Sequence, residues 1–478
     1  MRKFKTLSGK LTEVAQAEVD SLVSALRGSV HRDGEPEFDE ARSLWNAMVD
    51  RKPALVIRAL GTADVRLAVD FARENNLLMA VRSGGHQIAG HAVADDALML
   101  DLSNMNSIHV DPRARTARVE PGATLGDVDK ETQAHGLAVP VGVNSTTGIA
   151  GLTLGGGFGW TTRKFGMTID NLISADVVLA DGSIVTASND QNADLFWAIR
   201  GGGGNFGVVT SFEFQLHPLG PQVLSGLIVH PIEQAPQLLR EFAKIADTAS
   251  DALTVWSVLR QAPPLPFLPD EWHGREVLVF AACYTGPISE GEKAMEPLRA
   301  LGEPIADVIS PHAFVDWQAA FDPLLTPGVR NYWKSHDLET LPDGAIDTLL
   351  NAISGLPDPA CEIFIAHVGG RMAQIGPSDT AYPHRSSHFI MNVHTRWEDS
   401  AKDDTCIAWA RQLFDDMAPF ATGSVYVNFM PADEEERLSG AYGANRDRLA
   451  AIKARYDPEN LFRVNHNIEP AISDVAAQ

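Results

Sequence analysis

The 478-residue sequence predicts an α+β protein of two domains, and three observations support this fold class. The length exceeds what one hydrophobic core usually serves, since domains of roughly 100 to 200 residues are typical. Strand-like and helix-like segments are mixed in the first half of the chain. Near Pro218 the dense glycine clusters end and longer strand-like segments begin. We therefore expect a discontinuous first domain, residues 1–217 and 421–478, and a second domain, residues 218–420.

The elements of the first domain follow from local patterns. The first 50 residues have no sharp hydrophobic period and predict short helices leading into the strand "PALVIRAL". From Thr62, "TADVRLAVDFARENN" has apolar residues at i, i+3, i+4 and i+7, which is typical of an amphipathic helix. The stretches "LLMAVRSGG", "ALMLDLS", "SIHVDP" and "TARVEPG" predict short strands closed by turn residues. Asp181-Gly182, between two β-branched runs, predicts a hairpin turn.

The second domain is predicted to hold an antiparallel sheet with helices on one face. Its strands are "ALTVWSVLR", "EVLVFAACY", "GVRNYWKSH", "CEIFIAHV" and "HFIMNVHTRW". In the last strand a period of two places the apolar set that begins at Phe389 under the helices. Asn392 and His394 then share the other face, which meets either water or a pocket. Tyr332, Lys334 and His336 form a similar set, either in the pocket or solvated.

Composition excludes several classes of partner. The formal net charge of -23 repels nucleic acid and anionic membranes, and no run of Lys or Arg offsets it. No stretch has the length of a membrane span or a signal peptide, so we expect a soluble cytoplasmic protein. Cys283, Cys361 and Cys406 are far apart in sequence and indicate neither a disulfide framework nor a zinc site. We expect them to be small buried hydrophobic residues.

The glycine-rich segments are the strongest pointers to a ligand. Gly202, Gly204 and Gly207 match GxGxxG, but a dinucleotide fingerprint follows a strand and opens a helix, whereas here a helix precedes and a strand follows. Such segments either make turns only or let backbone N–H groups form a concave anion site, which suits a pyrophosphate. His86 and His91 stand five residues apart without a nearby cysteine, so no metal site is expected.

The ordered motifs resemble those of a known flavoprotein family. "VRSGGHQIAGH", "PVGVNSTTGIAGLTLGGGFGWTTRKFGMTIDNL", "DLFWAIRGGGGNFGVVTSFEF", "YVNF" and "RYDPENLFRVNHNI" together resemble the berberine bridge enzyme-like, FAD-linked oxidases of the vanillyl-alcohol oxidase group. The likeness runs from about residue 40 to about residue 470. It implies a PCMH-type FAD-binding domain of two α+β subdomains, and a substrate domain whose antiparallel sheet is covered by helices.

The resemblance assigns a covalent role to His86. In the family the histidine of the Gly-Gly-His segment is joined to the 8α-methyl of the flavin, and His86 matches it. Many relatives carry a second, cysteinyl bond, but Asn144 stands at that position and cannot form a thioether, which implies a single bond. Thr147 matches the residue that controls oxygen access, often valine in oxidases. A tethered flavin with an electron-withdrawing substituent is a better hydride acceptor.

The resemblance implies further FAD contacts by position. These are Arg82, Ser83, Gly84, Gly85, Gln87, Gly90, His91, Val143, Gly148, Gly151, Gly155, Val209, Tyr426 and Asn428, besides His86, Asn144 and Thr147.

The catalytic groups depart most from the family pattern. Two tyrosines of relatives that oxidise aromatic alcohols match Ile88 and Phe158 here. Tyr426 of "YVNF" is retained, and Asn392 matches a position that can hold a carboxylate base. Asparagine cannot take up a proton at a useful pH, whereas histidine titrates near neutrality. The hypothesis places Tyr426 first and His394 second as the proton-handling group, with Asn392 beside them.

The sequence therefore predicts an FAD-linked oxidase. It would take a hydride from the C–H bond of a small alcohol or amine and reduce O2 to H2O2. One alternative is a dehydrogenase that uses another electron acceptor. A second is a flavin-binding protein without turnover, which the missing tyrosines and the missing acid suggest. The sequence indicates neither the substrate nor the oligomeric state.

Overall fold

The computed structural model describes residues 1–472 and contains both helices and sheets. Residues 473–478, the end of the predicted segment 421–478, lie outside the described residues. The strands are Arg2–Lys5 (β1), Leu11–Val14 (β2), Ser29–His31 (β3), Leu55–Arg58 (β4), Met79–Arg82 (β5), Leu98–Asp101 (β6), Ile108–Asp111 (β7), Thr116–Val119 (β8), Leu137–Ala138 (β9), Leu172–Val178 (β10), Ile184–Ser188 (β11), Val208–Gln215 (β12), His217–Pro218 (β13), Gln222–Pro231 (β14), Leu253–Gln261 (β15), Glu276–Tyr284 (β16), Ala306–Asp307 (β17), Ser310–Ala313 (β18), Arg330–Leu338 (β19), Glu362–His367 (β20) and Phe389–Trp397 (β21).

The α-helices connect and cover these strands. They are Gln16–Ala25 (α1), Phe38–Arg42 (α2), Thr62–Glu74 (α3), Leu125–Gln133 (α4), Ile149–Leu154 (α5), Thr162–Phe165 (α6), Ala193–Ala198 (α7), Ala235–Thr248 (α8), Ile288–Arg299 (α9), Phe314–Gln318 (α10), Asp343–Ile353 (α11), Asp403–Met417 (α12), Leu438–Tyr442 (α13) and Arg446–Tyr456 (α14). Among residues 1–472, none of these helices combines the length and the apolarity needed to cross a bilayer.

The first half of the chain contains two sheets of four and five strands, besides the two-stranded sheets β1-β2 and β9-β13. The four-stranded sheet has the order β3-β4-β6-β5, with β4, β6 and β5 parallel, and α3 covers it through Val65, Ala68 and Val69. The five-stranded sheet is antiparallel in the order β11-β10-β12-β8-β7. The turn between β10 and β11 contains Asp181 and Gly182, so the predicted hairpin is confirmed, but the hydrogen bond from Leu179 N–H to Ser183 O leaves three residues, 180–182, in the turn rather than the predicted two. Helix α7 precedes the glycine loop and β12 follows it, as the sequence indicated.

The large sheet is antiparallel and has eight strands. Its order is β17-β14-β16-β15-β20-β21-β19, and β18 also pairs with β14. One face packs against α8, α11 and α12, where Phe389, Met391 and Val393 lie in the hydrophobic core with Leu239 and Phe242. The period-two prediction for β21 is therefore confirmed. Strand β14 was not among the predicted strands, because Gly226 and the flanking prolines interrupt its apolar run.

The prediction for the N-terminus was partly wrong. Residues 1–50 contain α1 and α2, but also the hairpin β1–β2 and the strand β3. Short strands of four residues or fewer have too few alternations to be separated from a helix by periodicity. The three cysteines are buried and free, as predicted.

A buried ion pair fixes a long connection of the chain. Arg385, in the segment before β21, donates from both terminal nitrogens to the two carboxylate oxygens of Asp170, at 2.8 and 2.9 Å. Both side chains are at most 5% exposed. Asp170 also accepts from the backbone N–H of Met167. The pair therefore joins the segment that follows α6 to the segment that precedes β21 of the large sheet.

We expect Asp170→Asn to lower the free energy of unfolding by about 3–5 kcal/mol, because it leaves the buried Arg385 charge without its partner. The matched control is Asp343→Asn, which breaks an exposed pair with Arg240 and should cost less than about 1 kcal/mol. Urea unfolding of the three proteins measures both values. Equal losses in the two variants would contradict a special role for the buried pair.

Candidate active site

A cleft of about 400 Å³ lies between the small sheets and the large sheet. The large sheet contributes the face opposite its helices. The other walls come from residues within 83–87, 142–148, 203–209, 426–429 and 462–466. Within residues 1–472, no three His, Cys, Asp or Glu side chains are grouped so as to hold a metal ion.

The loop after β5 carries His86 and is placed by a contact between two glycines. A Cβ on Gly84 would lie 2.3 Å from the backbone nitrogen of Gly148, and a Cβ on Gly148 would lie 2.3 Å from that of Gly84. Only glycine allows this approach, since side-chain carbons do not come so close to backbone atoms. The contact brings the His86 loop against the loop before α5, which carries Asn144 and Thr147.

The His86 ring is held by one aromatic ring and two hydroxyls. It stacks on Trp45 with ring centres 4.9 Å apart. Thr146 Oγ1 lies 3.0 Å from His86 Nε2, and Thr147 Oγ1 lies 3.4 Å from Nδ1. Burial lowers the pKa of His86 to about 3, although a hydrogen bond to the Thr146 backbone opposes the shift. The imidazole is therefore neutral at pH 7.

The glycine-rich wall leaves space for a ligand against the backbone. A Cβ on Gly151 or Gly204 would have no atom of the described residues within 4 Å, and both residues line the cleft. A backbone that meets a cavity without side chains lets its N–H groups approach an anion, such as the pyrophosphate of a dinucleotide. These residues fit a dinucleotide cofactor.

A buried lysine fixes this wall. The Lys453 ammonium donates to the backbone oxygens of Asn205, at 2.6 Å, and Phe462, at 3.2 Å, and pairs with Asp457 at 2.6 Å. Asp457 accepts in turn from the backbone N–H groups of Leu461 and Phe462. The glycine loop and the segment 462–466 are therefore tied together behind the cleft.

Tyr426 also lines the cleft, and its side chain is buried. Its hydroxyl oxygen accepts from the Gly157 N–H at 3.0 Å and from Asn428 Nδ2 at 2.9 Å. Its ring packs edge-on against Phe158 and Phe429. Burial raises the pKa of Tyr426 to about 12, against the two hydrogen bonds. The phenol is thus neutral at pH 7, with its proton free to donate.

Four neighbouring strands present a row of interacting side chains to the cleft. The row is Arg260 on β15, Glu362 on β20, His394 on β21 and Trp333 on β19, each directly opposite the next. His394 Nδ1 lies 2.8 Å from Glu362 Oε1, and Arg260 lies 2.6 Å from Glu362 Oε2. Burial favours the neutral acid, but Arg260 and His394 outweigh it and lower the pKa of Glu362 to about 2. The carboxylate lies against Nδ1, and His394 Nε2 has no hydrogen-bond partner among the described residues.

Comparison with known proteins supports this interpretation of the cleft. Residues 53–188 match the family model described as FAD binding domain, and residues 425–469 match the model described as berberine and berberine like. A FAD-linked oxidoreductase of Dictyostelium discoideum is 31% identical over 95% of this chain and 97% of its own length. The chain belongs to the berberine bridge enzyme-like family of FAD-linked oxidoreductases.

Two further relatives agree. The (R)-6-hydroxynicotine oxidase of Paenarthrobacter nicotinovorans is 30% identical over 93% of this chain and 97% of its own length. The crystal structure of 6-hydroxy-D-nicotine oxidase from Arthrobacter nicotinovorans superposes with a TM-score of 0.86, at 27% identity, and covers 96% of this chain and 100% of that one. The chain is thus an FAD-dependent enzyme with the PCMH-type fold of this family.

Most of the site residues predicted for this FAD-linked oxidoreductase lie in the cleft wall. They are Ser83, Gly84, Gly85, His86, Gln87, His91, Val143, Asn144, Thr147, Gly148, Gly151, Val209, His394, Tyr426 and Asn428.

Four predicted residues do not line the cleft. Arg82 donates to the backbone oxygen of Ala41. Gly90 packs against Val49, and Gly155 packs against Asn428. Asn392 is fully buried between Ser335 and Phe364 in the large sheet, and neither of its amide atoms has a partner among the described residues.

Neither alternative for the polar set on β19 was right. Tyr332, Lys334 and His336 face α12 rather than the cleft or solvent. Tyr332 donates to Asp433 at 2.9 Å, Lys334 pairs with Glu434, and His336 stacks on Phe414. Their face follows from the pairing of β19 with β21, which puts Trp333 opposite His394. Periodicity within one strand separates two faces but does not say which one meets the cleft.

Sequence reasoning missed several residues of the site. Trp45, Trp333, Arg260 and Glu362 were not singled out. Glu362 had one recognisable feature, since it is a charged residue at the start of the apolar strand "CEIFIAHV". Trp45 comes from the N-terminal region and reaches His86 only through the tertiary fold, so no local pattern indicates it.

We expect the free energy of unfolding to fall as the pH drops below 6.5. Burial lowers the pKa of His91 to about 3 and that of His466 to about 4, so the unfolded chain binds these protons at a higher pH than the folded protein. Each group costs up to about 1.4 kcal/mol per pH unit between pH 6.5 and its folded value. His91→Gln should make the slope shallower by that amount, measured by urea unfolding at several pH values.

His109→Gln, at an exposed position of β7, is the control and should leave the slope unchanged. A slope in His91→Gln equal to that of the unmodified protein would contradict the assignment.

Proposed function

We propose that the chain is an oxidase whose FAD is bound covalently through His86, with no cysteinyl bond. The observation that carries this proposal is the neutral imidazole of His86 in the cleft wall, ordered by Trp45, Thr146 and Thr147. A neutral imidazole has a free lone pair, which it needs to form a bond to carbon. Asn144, where relatives have cysteine, offers no second nucleophile.

Asn144 supports the choice of the attachment atom. Its side-chain oxygen accepts from the backbone N–H of Thr146 at 3.1 Å and from Thr146 Oγ1 at 2.7 Å. Since the Thr146 hydroxyl proton is used there, its oxygen accepts from His86 Nε2–H. The proton of the neutral ring therefore resides on Nε2, and Nδ1 carries the lone pair. We assign the flavin bond to His86 Nδ1: the 8α-methyl carbon would lose one hydrogen as a proton, the Nδ1 lone pair would form the new bond, and the two electrons left on the flavin would pass to O2.

The reaction is the oxidation of a C–H bond next to a hydroxyl or an amine. Bound FAD supplies the two-electron acceptor for the hydride, and O2 then takes up the two electrons and two protons as H2O2. His394 Nε2 accepts the proton of the substrate O–H or N–H. Glu362 holds the ring through Nδ1 and stabilises the positive charge that the ring gains, while Arg260 fixes Glu362.

Tyr426 has a different part in this proposal. A phenol with a pKa of about 12, whose oxygen already accepts two hydrogen bonds, is a poor proton acceptor at pH 7. Its free proton suits it to hold the substrate oxygen or the flavin ring. We therefore reverse the order expected from the sequence and place His394 before Tyr426. Asn392 is given no part, because it is fully buried and does not border the cleft.

The test of the covalent bond is the intact mass of denatured protein. We expect the mass of the chain plus one FAD, and the mass of the chain alone for His86→Ala. His91→Ala, a second histidine of the same cleft, is the control and should keep the covalent FAD. Colourless protein after acid precipitation, with the yellow cofactor in the supernatant, would contradict the bond. Loss of the bond in both variants would show that it does not depend on His86 alone.

The test of the proton acceptor is the rate of flavin reduction in an anaerobic stopped-flow experiment, with a substrate found by bleaching of the yellow absorbance. We expect His394→Gln to slow reduction by about 100-fold or more, and Glu362→Gln by about tenfold or more. Thr395→Val is the control, because its side chain is on the helix face of the same strand and its hydroxyl has no partner among the described residues. It should leave the rate unchanged.

A larger loss in Tyr426→Phe than in His394→Gln would move the proton transfer to Tyr426. Peroxide formation under air is expected, and bleaching without peroxide would identify a dehydrogenase with another acceptor. No bleaching with any alcohol or amine would favour a flavin-binding protein without turnover.

A further inference from the structure

The large-sheet wall of the cleft is apolar over most of its area. Three neighbouring strands, β14, β16 and β15, place Leu227, Val229, Val279 and Val258 side by side on the cleft face. Val277 continues this row along β16, and Val277 and Val229 are buried in one hydrophobic cluster with Leu265, Phe267 and Leu268. The surface is continuous with His394. Val258 lies opposite Phe364 on β20, and the next pair on the same face is Arg260 and Glu362. Glu362 in turn lies opposite His394.

Ionisable groups are confined to one line across this wall. Among the described residues of the large sheet that border the cleft, only Arg260, Glu362 and His394 carry an ionisable group. Arg260 and Glu362 neutralise each other at 2.6 Å. The row therefore has two buried hydrogen-bonding atoms without a partner among the described residues, His394 Nε2 and Trp333 Nε1, and no unpaired charge.

A proline-rich loop continues the apolar wall beyond the sheet. The segment "PPLPFLP", Pro263–Pro269, follows β15 and has a regular alternation. Pro264, Pro266 and Pro269 are exposed, whereas Leu265 and Phe267 are half-buried and line the cleft. Three of its four prolines are therefore exposed to solvent, whereas Pro263, Leu265, Phe267 and Leu268 border the cleft.

The loop is anchored at both ends. Ala262 donates its N–H to Arg275 O and accepts from Gly274 N–H, both at 2.8 Å, so the β15–β16 hairpin continues past the strands. The ring of His273 lies 3.2 Å from Leu268 O. Because each proline also fixes its own φ, the loop has few alternative conformations. Leu265 and Phe267 are therefore held in place rather than free to withdraw into solvent.

We propose that the substrate is an uncharged alcohol with a large apolar body, aromatic or alicyclic, and that Leu265 and Phe267 contact that body while its hydroxyl lies at His394. The inference rests on the proposed function and adds the substrate class to it. Apolar surface buried on this wall favours binding in proportion to its area. A sugar would place several hydroxyls against carbon without partners, and a protonated amine would lose its hydration without gaining a free counter-charge.

The experiment measures binding by anaerobic calorimetry to the flavin-containing protein whose flavin has first been reduced with dithionite, so that no hydride transfer adds heat. The probes are benzyl alcohol, 2-naphthalenemethanol, 2-naphthalenemethylamine and cellobiose. We expect affinity to rise about tenfold from benzyl alcohol to 2-naphthalenemethanol, as burial of about 50 Å² more apolar surface gives. The amine should bind at least about tenfold more weakly than its alcohol, and cellobiose more weakly still. Equal affinity for the two alcohols, or tighter binding of cellobiose, would overturn the proposal.

Two matched variants locate the contact. Phe267→Asp should weaken the binding of 2-naphthalenemethanol by about tenfold or more, because it places a charge in the apolar wall. Pro266→Asp adds the same charge next to it on the solvent side and should change affinity less than twofold. Flavin content and the melting temperature of both variants check that the fold is intact. Equal effects of the two substitutions would overturn the role of the loop.

The outcomes separate this inference from the proposed function. Tight binding of 2-naphthalenemethanol without flavin reduction would support the apolar binding site and would contradict the oxidation of that class of alcohol. Flavin reduction by cellobiose, together with weak binding of the aromatic alcohols, would support the proposed oxidase function and would contradict the proposal of an apolar substrate.

Discussion

The contact between the backbones of Gly84 and Gly148 is the constraint on which the cleft depends. It leaves no room for a Cβ on either residue, and it holds the loop of His86 against the loop of Asn144 and Thr147. Without this approach, the hydroxyls of the second loop would not reach the imidazole of the first. A side chain on Gly84 or Gly148 would push the two loops apart, and both residues line the cleft. Gly84 and Gly148 therefore influence the His86 imidazole indirectly, because they set how closely the two loops approach each other.

The large sheet supplies the second half of the site through strict alternation. Its odd-numbered residues on β21 are buried under the helices, so the even-numbered ones lie on the other face, where His394 borders the cleft. Antiparallel pairing then aligns Arg260, Glu362, His394 and Trp333 in one row. A slip of one residue in any of these strands would send its member of the row into the helix layer. The hydrophobic core under the helices thus fixes the register on which the His394 and Glu362 contact depends.

Sequence patterns predicted the parts of this molecule that are set locally. Helix α3, the strands around the glycine motifs and the two faces of β21 follow from periods of 3.6 and 2. The side of β19 that meets the cleft, and the contact of Trp45 with His86, follow from pairing between distant segments. Glu362 is a similar case, because one charged residue at a strand end is usually solvated. The sequence alone did not predict which face of a strand meets the cleft, because that depends on tertiary pairing between distant segments.

The two histidines of the cleft differ because their partners differ. His86 is surrounded by an indole ring and two hydroxyls, all uncharged, so desolvation is uncompensated and the ring stays neutral, with a pKa of about 3. His394 has a carboxylate at 2.8 Å, and that carboxylate stays ionised because Arg260 binds its other oxygen. A neutral ring with a free lone pair suits bond formation to carbon, whereas a ring with a fixed negative neighbour suits the uptake of a proton. The charge next to each ring thus separates the two roles that we propose for these histidines. The formal net charge of -23 has little influence on this division, because screening limits its reach to about 8–10 Å and each ring responds to its immediate partners.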